Sequence, residues 1–249
     1  PTLIYDGPFS DHLLIGTPKL ISDKKQIGQE NAKIIAAEYI GIAKDALNFS
    51  SIGNGNVPTY IFESDKYQIA VTQKGGEIIY LNSSRDVEKS VLSYNDALKK
   101  AKEYLKARYK NNFSESYYII DNGICTINFA YEENGIICYP DLIKVGVALD
   151  NGEILSVEAA NYIMNHNTNR DMNFKYSKSD AVKLCSKSLT VVSDKKCVIN
   201  VNTDKEYCCY EFMCKDNDGR DVLVYIDANN LIEREILLVE KTAGGVLTK

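Results

Sequence analysis

The chain has no tryptophan, two histidines and five prolines among 249 residues, and each scarcity removes a class of explanation. A Cys–His hydrolase would have to place a thiol beside His12 or His166, and neither histidine lies near a cysteine in sequence. Neither G-x-S-x-G nor G-x-x-x-x-G-K occurs, so the serine elbow and the phosphate loop have no motif here. No apolar run approaches the roughly 18 residues that a membrane helix needs, and no charged-then-apolar signal segment opens the sequence. The chain begins at Pro1, so an upstream targeting or anchoring segment is not excluded. Basic residues are outnumbered, 29 to 34, and the resulting charge of −5 is the opposite of a nucleic-acid footprint.

The seven cysteines, Cys125, Cys138, Cys185, Cys197, Cys208, Cys209 and Cys214, include no C-x-x-C pair and are odd in number. Most alternate with apolar residues in strand-like runs, so buried free thiols are expected rather than a disulfide framework. Cys208 and Cys209, adjacent on one strand, point to opposite faces and make a poor zinc pair. Asp216-Asn217-Asp218-Gly219-Arg220-Asp221 begins like a calcium loop, but its glycine comes at the fourth position and no glutamate closes it. It reads as a hairpin turn. No metal, cofactor or catalytic set is expected; acids such as Glu132, Glu133, Asp141 and Glu153 sit in or beside turns, and nothing selects a pair for glycoside hydrolysis.

What the chain does contain is a repeat. Tyr139 to His166 reads YPDLIKVGVALDNGEILSVEAANYIMNH, with Asp150-Asn151-Gly152 between two aliphatic runs, which predicts a hairpin on a two-residue Asn-Gly turn. Lys74-Gly75-Gly76 before Glu77 and Asp227-Ala228-Asn229 before Asn230 look like the same turn, and Glu77, Glu153 and Asn230 stand 76 and 77 positions apart. Ahead of each turn lies a helical pattern: Ala32, Ala36, Ile40; Ala97, Ala101, Leu105; Ala181, Cys185, Leu189, each at i, i+4, i+8. Gly28, Ser93 and Ser177 occupy the N-cap positions, and Asp96 and Asp180 follow their serines as capping-box acids. Alternation in Cys125 to Phe129 and Val198 to Val201 predicts sheets with one buried face. The expected fold is therefore α+β, three tandem units of one helix packed on an antiparallel β-sheet. The segments are a lead-in arm over 1–21, units over 22–85, 92–164 and 174–241, and a poorly ordered tail over 242–249. HNTNRDMN, within 165–173, reads as a polar linker and a candidate proteolysis site.

A helix followed by hairpins ending in D-x-x-G-E-[IL] resembles the PepSY domain. Three in tandem resemble the C-terminal region of the YpeB family of spore germination proteins, on YDGPFSDH at 5–12, YPDLIKV at 139–145, ALDNGEI at 148–154 and EAANYIMNH at 158–166. The first unit departs at Lys74 and Gly28, and the third at Asn229 and Asn230. The resemblance implies no enzyme, but a protein that binds, stabilises and holds inactive a cortex-lytic, peptidoglycan-cleaving enzyme of the SleB type until germination. It also implies a place in the spore outside the inner membrane, in the forespore intermembrane space or on the cortex side, with an anchor upstream of this sequence. The alternatives are a PepSY-type protease inhibitor and a cysteine-dependent hydrolase. Seventeen tyrosines against seven phenylalanines suggest where a partner would bind, since tyrosine covers apolar area while keeping a wet hydroxyl. The expected partner face is Tyr117, Tyr118, Tyr131, Tyr139, Pro140, Asp141 and Tyr162.

Overall fold

A computed structural model describes residues 16–201, 205–242 and 245–248; YDGPFSDH and its His12 fall outside them. The first helix, α1 (Gln29–Ile40), starts at Gly28, which caps without a side chain, and ends where Gly41 takes a left-handed φ of 81°. Four strands follow: β1 (Asn48–Gly53), β2 (Thr59–Glu63), β3 (Tyr67–Thr72) and β4 (Ile78–Ser83). β1, NFSSIG, is not expected from the sequence, because it is short, polar and exposed over most of its length.

The second segment opens with a complete capping box. The Asp96 amide donates to Ser93 Oγ at 3.3 Å, and the Ser93 amide donates to the Asp96 carboxylate at 2.9 Å. That box starts α2 (Tyr94–Arg108), which buries Ala97, Ala101 and Leu105 as their spacing predicts. Then come β5 (Asn112–Asp121), β6 (Ile124–Glu133), β7 (Ile136–Ala148), β8 (Ile154–Glu158) and a short α3 (Ala160–Asn165). Sequence reading splits β7 into two strands at Pro140, whereas the structure runs it through.

The third segment departs most. Ser177 caps α4 (Lys178–Ala181), but one 3₁₀ turn over Val182–Leu184 is all that follows, so Cys185 and Leu189 are not helical. The β-branched run Thr190-Val191-Val192 pulls this stretch into β9 (Thr190–Asn200), which starts seven residues earlier than expected. β10 (Glu206–Lys215), β11 (Asp221–Asp227) and β12 (Glu233–Thr242) complete the meander. The expected tail holds a strand as well, β13 (Gly245–Thr248), which bridges β12 to β5.

The segments are not separate sheets. β4 pairs antiparallel with β8, fusing the first two segments edge to edge. Registers then align one apolar row across eight strands: Phe49, Phe62, Ile69, Leu81, Val157, Val145, Ile127 and Tyr118. Helices α1 and α2 lie on this face, with Ala32, Ala36, Ala97 and Ala101 letting their backbones approach the sheet. Each large apolar side chain buried there contributes about 1.5–3 kcal/mol, against about 0–1 for an exposed ion pair, so this row holds the two segments together. Beyond β5 the sheet curls. β13, β12, β11, β10 and β9 continue it, and β9 closes on β7 through a parallel pairing of Ile136–Cys138 with Lys196–Val198. The inside of this eight-strand ring is filled by Ala130, Ile137, Tyr139, Leu142, Cys197, Ile199, Cys209, Leu223, Tyr225 and Leu237.

Asn-Gly chemistry governs the hairpins, though not where expected. Asn122-Gly123 and Asn134-Gly135 each have both residues at positive φ (48° and 75°, 52° and 76°), the two-residue turn that matches strand twist. At Asn151-Gly152 only the glycine is positive, at 80°, and the loop is four residues long, closed by the Gly152 amide donating to Ala148 O. A second bond, running the other way, spans this turn and its two counterparts. Thr72, Ala148 and Asp227 amides donate to the carbonyls of Glu77, Glu153 and Ile232 respectively. The third-segment counterpart of Glu153 is thus Ile232 rather than Asn230, and Leu231, at φ 53°, stands where Gly152 does.

Candidate functional site

YPDLIKV owes its composition to a bulge. Between the β6 partners Ala130 and Tyr131 the β7 register jumps from Leu142 to Cys138, leaving Tyr139, Pro140 and Asp141 without opposite residues. Proline fits such a place because it has no amide to give to the ladder. The bulge lets β7 leave β8 and join β9 in the ring, and it turns Asp141 fully inward.

Arg170, from the polar stretch after α3, meets Asp141 in a two-pronged ion pair: Nη1 to Oδ2 at 2.9 Å and Nη2 to Oδ1 at 2.6 Å. Its Nε donates to Glu206 of β10 at 2.7 Å, and Nη2 donates to the Asn165 carbonyl at 3.0 Å. His166 Nδ1 lies 2.8 Å from Asp141 Oδ2, and Lys19 of the lead-in reaches Glu206 at 3.2 Å. Burial would push the Glu206 carboxyl up, but its bonds and proximity to Arg170 and Lys19 hold it below the usual range. Burial pulls on Arg170 in the opposite sense, and its two carboxylates raise it above an ordinary guanidinium. Asp141, Arg170 and Glu206 therefore form a buried electrostatic clamp tying β7, the 165–173 stretch, β10 and the lead-in. That stretch is anchored rather than a free linker, with only Thr168 and Asn169 exposed between Asn165 and Arg170. Beside it the lead-in, bonded from Lys19 and Leu20 to Met164 and Ile163, walls an open cleft of 410 Å³ with His166 to Asn169.

The expected partner face does not come together as a surface. Tyr139, Pro140, Asp141 and Tyr162 are buried. The Tyr139 hydroxyl donates to Glu211 at 2.5 Å inside the ring, and burial followed by that carboxylate raises it well above the ordinary phenol value. Tyr162 stacks on His166 with centroids 4.6 Å apart and accepts from Asn111 at 2.7 Å. Tyr117, Tyr118 and Tyr131 keep partial exposure; Tyr118 stacks on Tyr94 at 4.0 Å, and Tyr131 meets the edge of His166 at 4.6 Å. In this molecule tyrosine packs helix, sheet and ring together.

Arg85 is another cation that sequence reading does not find. It forks onto Asp150 at 2.8 and 3.0 Å, with Nε 2.8 Å from Glu153, so the acids of the D-N-G-E turn hold a residue from the preceding segment. Lys24 pairs with Glu77 in the first segment, and Arg234 with Asp227 at 2.5 Å in the third. A lone basic residue in a polar stretch was the one available signal for Arg85 and Arg170. Burial pushes every thiol up, Cys125, Cys185 and Cys208 to about 11 and Cys138 to about 12, the reverse of an activated nucleophile. All seven are free, and no group of three or more His, Cys, Asp or Glu among the described residues is placed to hold a metal ion.

Helices α1 and α2 laid on one face of antiparallel hairpins make this an α+β sheet protein. The chain belongs to the YpeB family: the family profile described as YpeB sporulation, PepSY1 and PepSY2 domains matches residues 1–173. It is 31% identical over 226 residues to the sporulation protein YpeB of Halalkalibacterium halodurans, an alignment covering 86% of this chain and 49% of that protein. It is 25% identical over 225 residues to YpeB of Bacillus subtilis, covering 85% and 49%. The chain thus spans about half the length of the curated relatives it matches. Its fold is similar to the Bacillus megaterium YpeB C-terminal domain, with a TM-score of 0.75 at 20% identity over 87% of this chain and 100% of that one. Among the described residues no helix is long and apolar enough to cross a membrane.

Proposed function

We propose that the chain is a non-catalytic binding module that keeps a cortex-lytic, peptidoglycan-cleaving enzyme of the SleB type stable and inactive in the spore, outside the inner membrane. Family membership supports the setting. The observation that carries the non-catalytic part is the consumption of chemistry by structure: Asp141, Arg170, His166 and Glu206 hold one another, and the thiols are shifted away from reactivity. Within this reading β9–β12 and α4 are a third unit of the same type with a shortened helix, supported by the Ser177 cap and by the shared turn bond from Asp227 to Ile232.

Calorimetric titration of the chain into the cognate cortex-lytic enzyme, with and without that enzyme's wall-binding domain, tests the reading. Saturable one-to-one binding that raises the enzyme's melting temperature and suppresses its hydrolysis of cortex peptidoglycan is the expected result. No heat at several temperatures and no change in hydrolysis would end it.

A further inference from the structure

β12 turns two large aliphatic side chains to solvent: Ile236 is 45% and Leu238 is 42% exposed. Their registers place them on the same face as α4, since Leu238 is opposite Val222 and Cys214, and Ile236 is opposite Val224 and Phe212. Those four partners are covered, with Ala181 of α4, in one buried cluster. The matching fourth-strand residues of the first two segments, Leu81 and Val157, are only 5% and 1% exposed. The difference has an evident cause. α1 runs for 12 residues and α2 for 15, but α4 has 4 and its 3₁₀ extension 3, after which the chain leaves for β9.

We propose that the outer face of β12, beside the short helix, is a docking site for an amphipathic helix of a protein partner that lays small and aliphatic residues over Ile236 and Leu238. This rests on reading the third segment as a shortened unit. The molecule itself indicates the occupant, because the equivalent rows are covered by helices presenting Ala32 and Ala36, or Ala97, Ala101 and Leu105. The site is the side-chain face of β12 and not its edge: β11 occupies one edge along the strand, and β13 takes the other at Val239–Thr242. A lipid surface fits poorly, as the chain carries −5 and Glu233, Glu235 and Glu240 line the same strand. In length, a 10-residue strand of roughly 33 Å accepts a helix of about 15–22 Å, the span of 10 to 15 residues.

The test places the photo-cross-linker p-benzoylphenylalanine at position 238 of the full-length protein in sporulating cells, with position 91, also exposed, as the comparison site. The expected adduct at 238, absent at 91, maps by mass spectrometry to a helical segment of another protein. Should that protein not be the cortex-lytic enzyme, the docking site stands and the partner assignment above falls. Adducts to a second copy of this chain or to lipid, equal labelling at both positions, or no adduct at 238 would overturn the site. A parallel titration uses the cortex-lytic enzyme with the Ile236→Glu/Leu238→Glu chain. Its exposed changes should leave the melting temperature within a few degrees, while affinity falls tenfold or more. Undiminished affinity overturns the proposal, and if the unaltered chain fails to bind, the cross-link decides.

Discussion

Arg170 is the side chain on which the junction of sheet and ring depends. Removing it leaves Asp141 as an uncompensated buried charge, so Arg170→Ala should cost about 3–5 kcal/mol, read as a lower urea midpoint. Arg170→Lys should recover part of that, because a point charge cannot fork to Asp141 and Glu206 together. Glu206 adds a pH dependence with a definite sign. Its folded pKa lies below the unfolded value of roughly 4.3, so its contribution is present above that pH and is lost as pH falls through the folded value. Urea midpoints measured between about pH 5 and 3 should therefore drop, and Glu206→Gln should flatten part of the slope. None of this is legible locally. Arg170 finds Asp141 29 residues back and Glu206 36 ahead, and HNTNRDMN gives no period to betray them.

At the scale of elements, helix caps were the most readable features. Gly28, Ser93 and Ser177 begin helices as their positions imply, and Ser93→Ala should lower stability by about 1 kcal/mol in thermal unfolding. Gly135 has open space where a side chain would go, but its φ of 76° makes Gly135→Ala cost about 1–2 kcal/mol; a change within 0.3 kcal/mol would show that the turn relaxes. The third helix misled because its i, i+4, i+8 spacing is as good as the other two, while the β-branched residues just beyond it favour a strand. Apolar spacing records which face is buried; it does not record how long the helix lasts. β1 and β13 escaped notice for the opposite reason, being short strands whose pairing partners, rather than their own composition, make them strands. Ending the chain after Lys241 should therefore expose the β5 edge, seen as faster amide exchange at Tyr118 and Ile119.

The whole molecule is a fused sheet that ends in a ring, and the fusion predicts cooperativity. A fragment ending at residue 173 deprives Ile136–Cys138 of β9 and uncovers the ring interior around Tyr139 and Leu142. We expect it to melt at lower temperature than the full chain and to lose amide protection at 136–138; equal melting would mean the first two segments are self-sufficient. The helices and hairpins of the first two segments could be read from the sequence, as could the burial of six of the seven thiols. Ring closure could not, since the parallel pairing of residues 136–138 with 196–198 joins stretches 60 positions apart through side chains that only look apolar.

The bulge at Pro140 leaves one 13-residue strand serving both bodies, paired with β8 in its second half and with β9 in its first. In mechanical terms the two are joined by a spar rather than a hinge. Tension between them runs along a covalent backbone and loads the flanking ladders in shear, with many hydrogen bonds sharing the force, instead of peeling them one at a time. A molecule pulled from its C-terminal end should release β13, held by four pairs to β12 and two to β5, before the junction yields, and whatever is gripped by one body would feel the movement of the other.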